Sequence, residues 1–176
     1  MIGMTGIPVL ETGRLILRGP EPGDWDSYCA FWTSDRTDHV GGRRTRRDAW
    51  RGFASSWGHW AIHGFGTWIV TDRQDGKSLG LAALNFPDGY VEREIGWILW
   101  DGAEGRGIAL EAATAARDHV FGTLGWETAV SYIDPDNARS IRLAEKLGAR
   151  PDPDAAHSFG DEPCVVYRHP APEALQ

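Results

Sequence analysis

The sequence has few cysteines, no excess of basic charge and no long apolar segment. Cys29 and Cys164 are its only cysteines and form no CxxC pair, so neither a zinc ribbon nor a disulfide-rich scaffold is supported. The net charge of −7 argues against a nucleic-acid partner, whose phosphates require a basic face. No run approaches the roughly 18 apolar residues of a membrane helix, and residues 1–14 lack the basic and apolar regions of a signal peptide. We therefore expect a cytoplasmic protein without nucleic-acid or membrane partners.

The composition is that of an ordinary globular domain. Hydrophobic residues make up 41% and charged residues 24% of the 176 residues, a length that suits one core better than two. We predict a single domain over residues 1–176, with a core from about residue 10 to residue 168.

Apolar periodicity and turn residues predict alternating blocks of strand and helix. Three central strands, the first two joined by a turn at Asp75-Gly76, predict an antiparallel meander. The predicted elements are, in chain order, a strand at 14–18, helices at 25–32 (capped by Asp24) and 46–62, meander strands at 67–72, 79–86 and 91–100, a helix at 108–122, a strand at 128–133, a helix at 138–147 and a strand at 164–168. This order predicts an α/β fold with a mixed, mostly antiparallel central sheet and helices on both faces.

Three glycines lie between the last meander strand and the next helix, in DGAEGRGIALEA at 101–112. A Walker A loop requires a lysine after Gly107, and a dinucleotide fingerprint requires a third glycine where this chain has leucine, so neither motif is present. The GxxGxG pattern from Gly102 to Gly107 can instead direct the amides of a helix N-terminus toward a pyrophosphate. A tight turn without a ligand is the alternative.

Four segments carry a family resemblance: ETGRLILR (11–18), EIGWIL (94–99), EGRGIALEA (104–112) and NARSIRLAEKLGA (137–149). Together, and in this order, they resemble the GNAT superfamily of acyl-CoA-dependent N-acetyltransferases. The sequence is most similar to the branch that contains the ribosomal-protein N-terminal alanine acetyltransferases. The resemblance implies acetyl-CoA as cosubstrate, and a pantetheine arm between the strand before the loop and the strand after the helix, which splay apart.

The resemblance also assigns the cofactor-binding residues. Ile98 and Leu99 match the stretch whose backbone contacts the arm and the thioester, while Asn137 and Ser140 match positions near the acetyl end. Asn137 can also cap its own helix. The pyrophosphate is expected on the backbone of the following residues: Glu104, Gly105, Arg106, Gly107, Ile108 and Ala109.

The sequence departs from the family pattern at two positions. Gly102 stands where the family often has a glutamine or arginine that contacts phosphate. Ala144 stands where a tyrosine commonly serves as general acid. The leaving thiolate would then take its proton from water or from another group.

Acetyl transfer to an amine requires a base, since a free alkyl amine has a pKa of about 10 and is mostly charged at neutral pH. We predict that Glu94 accepts this proton and that Glu94 and Asn137 are the catalytic residues. Glu92 lies on the same alternating face, and the alternative base is Glu92, Asp134 or a water held by backbone groups. Tyr132 and Asp134 are candidates for the acceptor side, and the helix dipole explains Glu111 without a catalytic role.

The remaining candidates favour structural interpretations. His59 and His63 have i, i+4 spacing, but no HExxH motif supports a metal, and we expect none. The arginines at 43, 44, 46 and 47 are expected in a solvated loop, with contact to the acceptor or to the CoA 3′-phosphate as the alternative.

Two functions from different classes follow from these residues. The first is acetyl transfer in a ternary complex to an amine-bearing small molecule or a peptide N-terminus, by a monomer or by a possible homodimer. The second is a non-catalytic acyl-CoA-binding sensor.

Overall fold

The computed structural model describes residues 6–157 and 159–170, which contain one eight-stranded sheet and four α-helices. The elements are β1 Leu10–Glu11, β2 Leu15–Arg18, α1 Trp25–Trp32, α2 Arg46–His63, β3 Thr67–Asp72, β4 Ser78–Asn85, β5 Glu94–Leu99, α3 Ile108–Gly122, β6 Ala129–Ile133, α4 Ala138–Lys146, β7 Arg150–Pro151 and β8 Val165–His169. Short 3₁₀ turns at Pro22–Asp24 and Asp35–Thr37 flank α1.

The sheet has the strand order β1-β2-β3-β4-β5-β6-β8-β7. Every neighbouring pair is antiparallel except β5 and β6, which are parallel. The predicted mixed, mostly antiparallel sheet is therefore confirmed.

Helices cover both faces of the sheet. Successive strand residues point to opposite sides, so neighbouring residues of one strand pack against different helices. On β3, Trp68 and Val70 pack with the helix α3, while Ile69 between them packs with α1 and α2. The small side chains of α3 allow it to lie close to the sheet, as the sequence predicts; these are Ala112 and Ala116, with Ile108 and Val120 at either end.

The element boundaries agree with the sequence patterns except at short or polar segments. The two-residue strands β1 and β7 were not predicted, since two residues show no periodicity. Strand β5 begins at Glu94, because residues 91–93 form a bend. Asp24 does precede α1, but its carboxylate makes no cap bond to that helix and instead binds Arg18 through both oxygens, each at 2.8 Å.

Strands β5 and β6 separate soon after they meet. Their ladder contains a single register pair, Glu94 with Val130. One further bond joins them, from the Ser131 hydroxyl to the Ile95 carbonyl at 2.5 Å. The remainder of β5 therefore leaves a gap in the sheet, and this gap positions the candidate site.

Within the parts of the chain that the structure describes, no helix has both the length and the apolar content needed to cross a membrane.

Candidate active site

A cleft of about 1120 Å³ opens where β5 and β6 separate. Its walls come from the strands β4 and β5 with the loop between them, the end of β6 with the turn that follows and the start of α4, the helices α1 and α2 with the loop between them, and the loop before β8. Glu94, Trp97, Tyr132, Asp134 and Asn137 all line it.

Glu94 stands at the point of separation. Its Oε2 accepts a hydrogen bond of 2.8 Å from Asn85 Nδ2 on the neighbouring strand. Burial raises the pKa of Glu94 above its ordinary value, and the Asn85 amide and the Tyr132 backbone partly oppose that rise. A carboxylate with a raised pKa is a stronger base and suits proton transfer near neutral pH.

Glu92 points away from this cleft. Both of its carboxylate oxygens bind Arg168 of β8, at 2.7 and 2.9 Å. Arg168 in turn binds Asp152 at 2.6 Å. Glu92 therefore belongs to an ion-pair network, and the predicted common face with Glu94 does not bring both carboxylates into the cleft.

Asp134 lies at the end of β6 and joins the two walls of the cleft. Its Oδ2 is 2.8 Å from His39 Nδ1, and its Oδ1 accepts from the Asp136 amide at 2.8 Å. These two contacts hold the pKa of Asp134 below its ordinary value. A carboxylate so stabilised in its charged form is a weaker base than Glu94.

The glycine loop leads from β5 into α3. Gly102, Gly105 and Gly107 have φ angles of 75°, 74° and 75°, in the left-handed region that side chains with a β-carbon rarely adopt. Within residues 6–157 and 159–170, the N–H groups of Gly107, Ile108 and Ala109 have no hydrogen-bond acceptor. The loop and the helix N-terminus therefore present free donors with a favourable dipole for an anion.

A side-chain clamp holds this loop against the start of the sheet. Glu111 Oε1 accepts from the Thr12 hydroxyl at 2.5 Å and from the Arg14 amide at 3.0 Å, while Arg14 Nε donates to Glu111 Oε2 at 2.7 Å. Arg14 Nη1 also donates to the Arg106 carbonyl at 2.9 Å. Glu111 is thus a structural residue, with partners that the helix dipole alone did not predict.

Asn137 caps α4, as the sequence predicts. Its Oδ1 accepts from the Ser140 amide at 3.1 Å. Ser140 also receives a bond from Trp97 Nε1 at 3.3 Å, and both Asn137 and Ser140 line the cleft. The Nδ2 group of Asn137 is not used by the cap and can donate to another group.

Comparison with known proteins identifies the family. The chain matches the family model described as an acetyltransferase (GNAT) domain over residues 14–150. The chain belongs to the GNAT acetyltransferase family. The superfamily predicted from the four sequence segments is therefore confirmed.

Solved structures share the fold of this GNAT chain. An acetyltransferase from Agrobacterium tumefaciens is 36% identical, with a TM-score of 0.89 over 97% of this chain and 98% of that chain. RimL, a ribosomal L7/L12 α-N-protein acetyltransferase solved with coenzyme A, is 14% identical with a TM-score of 0.73, over 92% of this chain and 97% of that one. At that identity the likeness concerns the fold alone.

Among curated proteins, YkkB of Bacillus subtilis is 34% identical over 88 residues. The match covers 49% of the GNAT chain and 51% of YkkB. The chain therefore matches about half the length of that relative.

The strand backbone adds a detail to the family expectation for Ile98 and Leu99. The Ile98 carbonyl faces β4, where it lies so close to Gly80 that a β-carbon there would come within 2.2 Å of it. Because backbone groups alternate in direction along an antiparallel ladder, the N–H and C=O groups of Trp97 and Leu99 point into the gap in this GNAT sheet. The side chain of Ile98 lines the cleft, and the Leu99 carbonyl accepts from Arg36 at 3.2 Å.

The side chains of the glycine loop have partners outside the cleft. Glu104 pairs with Arg36, which also binds Asp101 at 3.1 Å. Arg106 lies 3.8 Å from Asp72.

The position of the family tyrosine is occupied by a buried alanine. Ala144 packs with Ile133, Ala149 and Tyr167 and does not line the cleft. No proton donor replaces the tyrosine at this point of α4.

The sequence patterns missed two polar residues of the GNAT cleft, Asn85 and His39. Asn85 binds Glu94, its partner across β4 and β5 and nine residues away, whereas His39 binds Asp134, which is 95 residues away. The meander pattern could have placed Asn85 opposite Glu94, but no local pattern signals the second pair.

His59 has a structural role. Its Nδ1 bonds to the Phe65 carbonyl at 2.8 Å, and its Nε2 accepts from the Phe86 amide at 2.9 Å. Both ring nitrogens are therefore occupied by backbone groups. Among the residues that the structure describes, no cluster of three or more His, Cys, Asp or Glu side chains is arranged to hold a metal.

Proposed function

We propose that the protein transfers an acetyl group from acetyl-CoA to a primary amine, by direct transfer in a ternary complex. The observation that carries this proposal is Glu94, a carboxylate with a raised pKa in a cleft at the point where β5 and β6 separate. The acceptor is a peptide N-terminus or a small-molecule amine.

The glycine loop fits the diphosphate of acetyl-CoA. Three glycines with positive φ leave three positions of the loop without a β-carbon, and consecutive N–H groups at the start of α3 lack acceptors in the described part of the chain. Backbone amides with a helix dipole stabilise a diphosphate without a lysine. Family membership and the coenzyme A in the RimL structure support the same cosubstrate.

Each cleft residue then has a chemical task. Glu94 accepts the proton of the amine, so that a neutral nitrogen attacks the thioester carbonyl. Backbone N–H groups of Trp97 and Leu99, which face the gap, are the candidates for stabilising negative charge on the carbonyl oxygen. The Asn137 Nδ2 group hydrogen-bonds near the acetyl end. As the C–N bond forms and the C–S bond breaks, the sulfur leaves as the CoA thiolate, and the second proton that the nitrogen loses passes to that thiolate directly or through water.

Glu94 is preferred to the other carboxylates on chemical grounds. Glu92 neutralises Arg168, and Asp134 has a pKa below its ordinary value. Protonation of either would disrupt an existing ion pair or hydrogen bond, whereas the hydrogen bonds of Glu94 within the described part of the chain come from the neutral groups of Asn85 and Tyr132.

A non-catalytic acyl-CoA sensor is the second candidate. The observation in its favour is the buried Ala144 where the family commonly has a tyrosine acid. A sensor would bind acetyl-CoA through the same loop but release no thiol.

A thiol-release assay separates the two functions. Purified protein is mixed with acetyl-CoA and a panel of amines and peptides, and calorimetry measures acetyl-CoA binding in parallel. Amine-dependent thiol release supports the transferase. Tight binding without thiol release from any amine supports the sensor, and absence of binding contradicts both.

A further inference from the structure

Arg44 occupies a fixed position on the wall of the cleft. Its amide donates to the Trp32 carbonyl at 2.8 Å, and its guanidinium lies over the Trp32 ring, 3.7 Å from the centroid. A β-carbon added to Gly52 of α2 would come within 2.9 Å of Arg44 Nη1 and 3.0 Å of the Tyr28 hydroxyl. The guanidinium therefore lies in a slot between α2 and Trp32. The glycine at position 52 leaves space for it that a larger side chain would occupy.

This cation has no carboxylate partner in the described part of the chain. Its neighbour Arg43 pairs with Asp35 at 3.3 Å, and Arg46 lies over the Trp25 ring, 5.2 Å from the centroid. Arg44 is half-buried, and no carboxylate of residues 6–157 and 159–170 lies within 4 Å of its guanidinium. Stacking on an aromatic face leaves the edge of a guanidinium free to bind a carboxylate or phosphate through two hydrogen bonds.

The carboxylate of Glu94 lies across the same cleft. Tyr90 lines the cleft together with Arg44 and Glu94. Burial chiefly raises the pKa of the Tyr90 phenol, Glu94 adds to that rise, and Arg44 opposes it. The cleft thus holds a half-buried base and a half-buried cation, with Tyr90 in the same lining. Four other carboxylates of the lining are exposed at the rim, where water and salt screen them: Asp38, Asp88, Asp136 and Glu162. The fifth, Asp134, is bound to His39 at 2.8 Å.

We propose that the acceptor is an amine that also carries an anionic group, with a carboxylate as the simplest case. Arg44 binds the anionic group and thereby directs the amine toward Glu94. This inference rests on the proposed acetyl transfer. It makes the acceptor zwitterionic, as an amino carboxylate is, and selects against polyamines, whose second cation would meet Arg44.

The test uses ω-amino carboxylates of increasing chain length, each paired with its neutral amide. For the parent protein we expect at least one carboxylate to exceed its amide tenfold or more in kcat/KM. Arg44→Gln should raise KM for that carboxylate about tenfold or more, with little change in kcat and in the kinetics of the amide, because a binding charge is lost and the chemistry is not. Arg43→Gln removes a neighbouring charge of the same loop, one that pairs with Asp35 outside the cleft, and should behave as the parent protein does.

Arg44→Lys protects the test against a folding defect in the glutamine variant, since lysine retains the charge and should retain part of the preference for the carboxylate. Equal kcat/KM for carboxylates, amides and a polyamine, unchanged in the Arg44 variants, would overturn the inference while leaving acetyl transfer intact. If the parent protein acetylates no amine, the proposed function fails instead. Calorimetry with the same series of ω-amino carboxylates then tests the anion site by itself. Binding by the parent protein that is lost in Arg44→Gln would still support the site, and no binding by the parent protein would overturn it.

Discussion

At the residue scale, each candidate base is distinguished by its partner. Glu92 and Asp134 bind a cation or an imidazole, while Glu94 binds the neutral amide of Asn85. Sequence alternation predicted Glu92 and Glu94 on one face of the strand but could not assign their partners. Arg168, the partner of Glu92, is 76 residues away and lies on another strand. The proton acceptor is therefore a tertiary property, and mutation is the direct way to test it.

We predict that Glu94→Gln lowers turnover about a hundredfold or more while acetyl-CoA binding persists, the range expected for a positioned base. The substitution is nearly isosteric, and the new amide oxygen can still accept from Asn85. Because the pKa of Glu94 is raised, the acidic limb of kcat/KM in the parent should lie above the ordinary glutamate value. Rates measured across pH should show that limb disappear in the variant, with partial recovery in alkaline buffer, where more neutral amine is present.

Glu92→Gln is the control, since it breaks the pair with Arg168 outside the cleft. It should lower the melting temperature and leave the pH profile unchanged. A large loss of turnover with Glu92→Gln, and none with Glu94→Gln, would identify Glu92 as the base.

We predict that Asn137 has two separable tasks. Asn137→Asp keeps an oxygen that can cap α4 but removes the Nδ2 donor, so the melting temperature should hold while turnover falls. Asn137→Ala should lose both, with about 1 kcal/mol of stability from the cap. Thr45→Ala is the matched control, because Thr45 caps α2 by accepting from the Asp48 amide at 3.1 Å. It should cost similar stability without affecting the rate. Full activity of Asn137→Asp would reduce Asn137 to a cap.

At the element scale, the loop and α3 form one unit held by the N-terminal strands. The ETGR and EGRGIALEA segments are far apart in sequence, yet Thr12 and Arg14 bind Glu111 and the Arg106 carbonyl directly. This contact gives a physical reason for the two segments to occur together. The helix itself was predictable because its buried alanines recur at helical spacing. The clamp was not, since it joins residues 97 positions apart.

We predict that Gly107→Val reduces acetyl-CoA affinity in a folded protein. Gly107 is the N-cap of α3 with φ 75°, and valine strains this backbone and moves the adjacent amides. Gly125→Val is the control at the far end of α3, where φ is 64° and a β-carbon would meet nothing within 4 Å. Both variants carry a similar backbone strain, so calorimetry should show weaker binding in the first alone. Equal affinities would favour a tight turn without a ligand.

At the scale of the whole molecule, the junction of β5, β6 and β8 depends on a neutral histidine. Ser131 donates to the Ile95 carbonyl and lies 2.8 Å from His169 Nε2. Since a carbonyl can only accept, the serine hydroxyl donates to it and accepts from the imidazole N–H. Burial lowers the pKa of His169 from 6.5 to about 4. This chain of bonds crosses the sheet where the strands begin to separate, so protonation of His169 opposes the folded state.

We predict that acid destabilises the protein through this histidine. The unfolded chain binds a proton near pH 6.5 and the folded chain near pH 4, so the stabilisation is complete above pH 6.5 and is lost as pH falls toward 4. The difference corresponds to about 3 kcal/mol in the free energy of unfolding. His169→Gln keeps an N–H donor for Ser131 but does not titrate, so denaturant unfolding should show a shallower dependence on pH. His63→Gln, at an exposed histidine, should retain the parent slope. If the unfolding free energy of His169→Gln depends on pH as steeply as that of the parent, other groups cause the acid sensitivity. His59, whose pKa is also lowered by burial, would be the next residue to test.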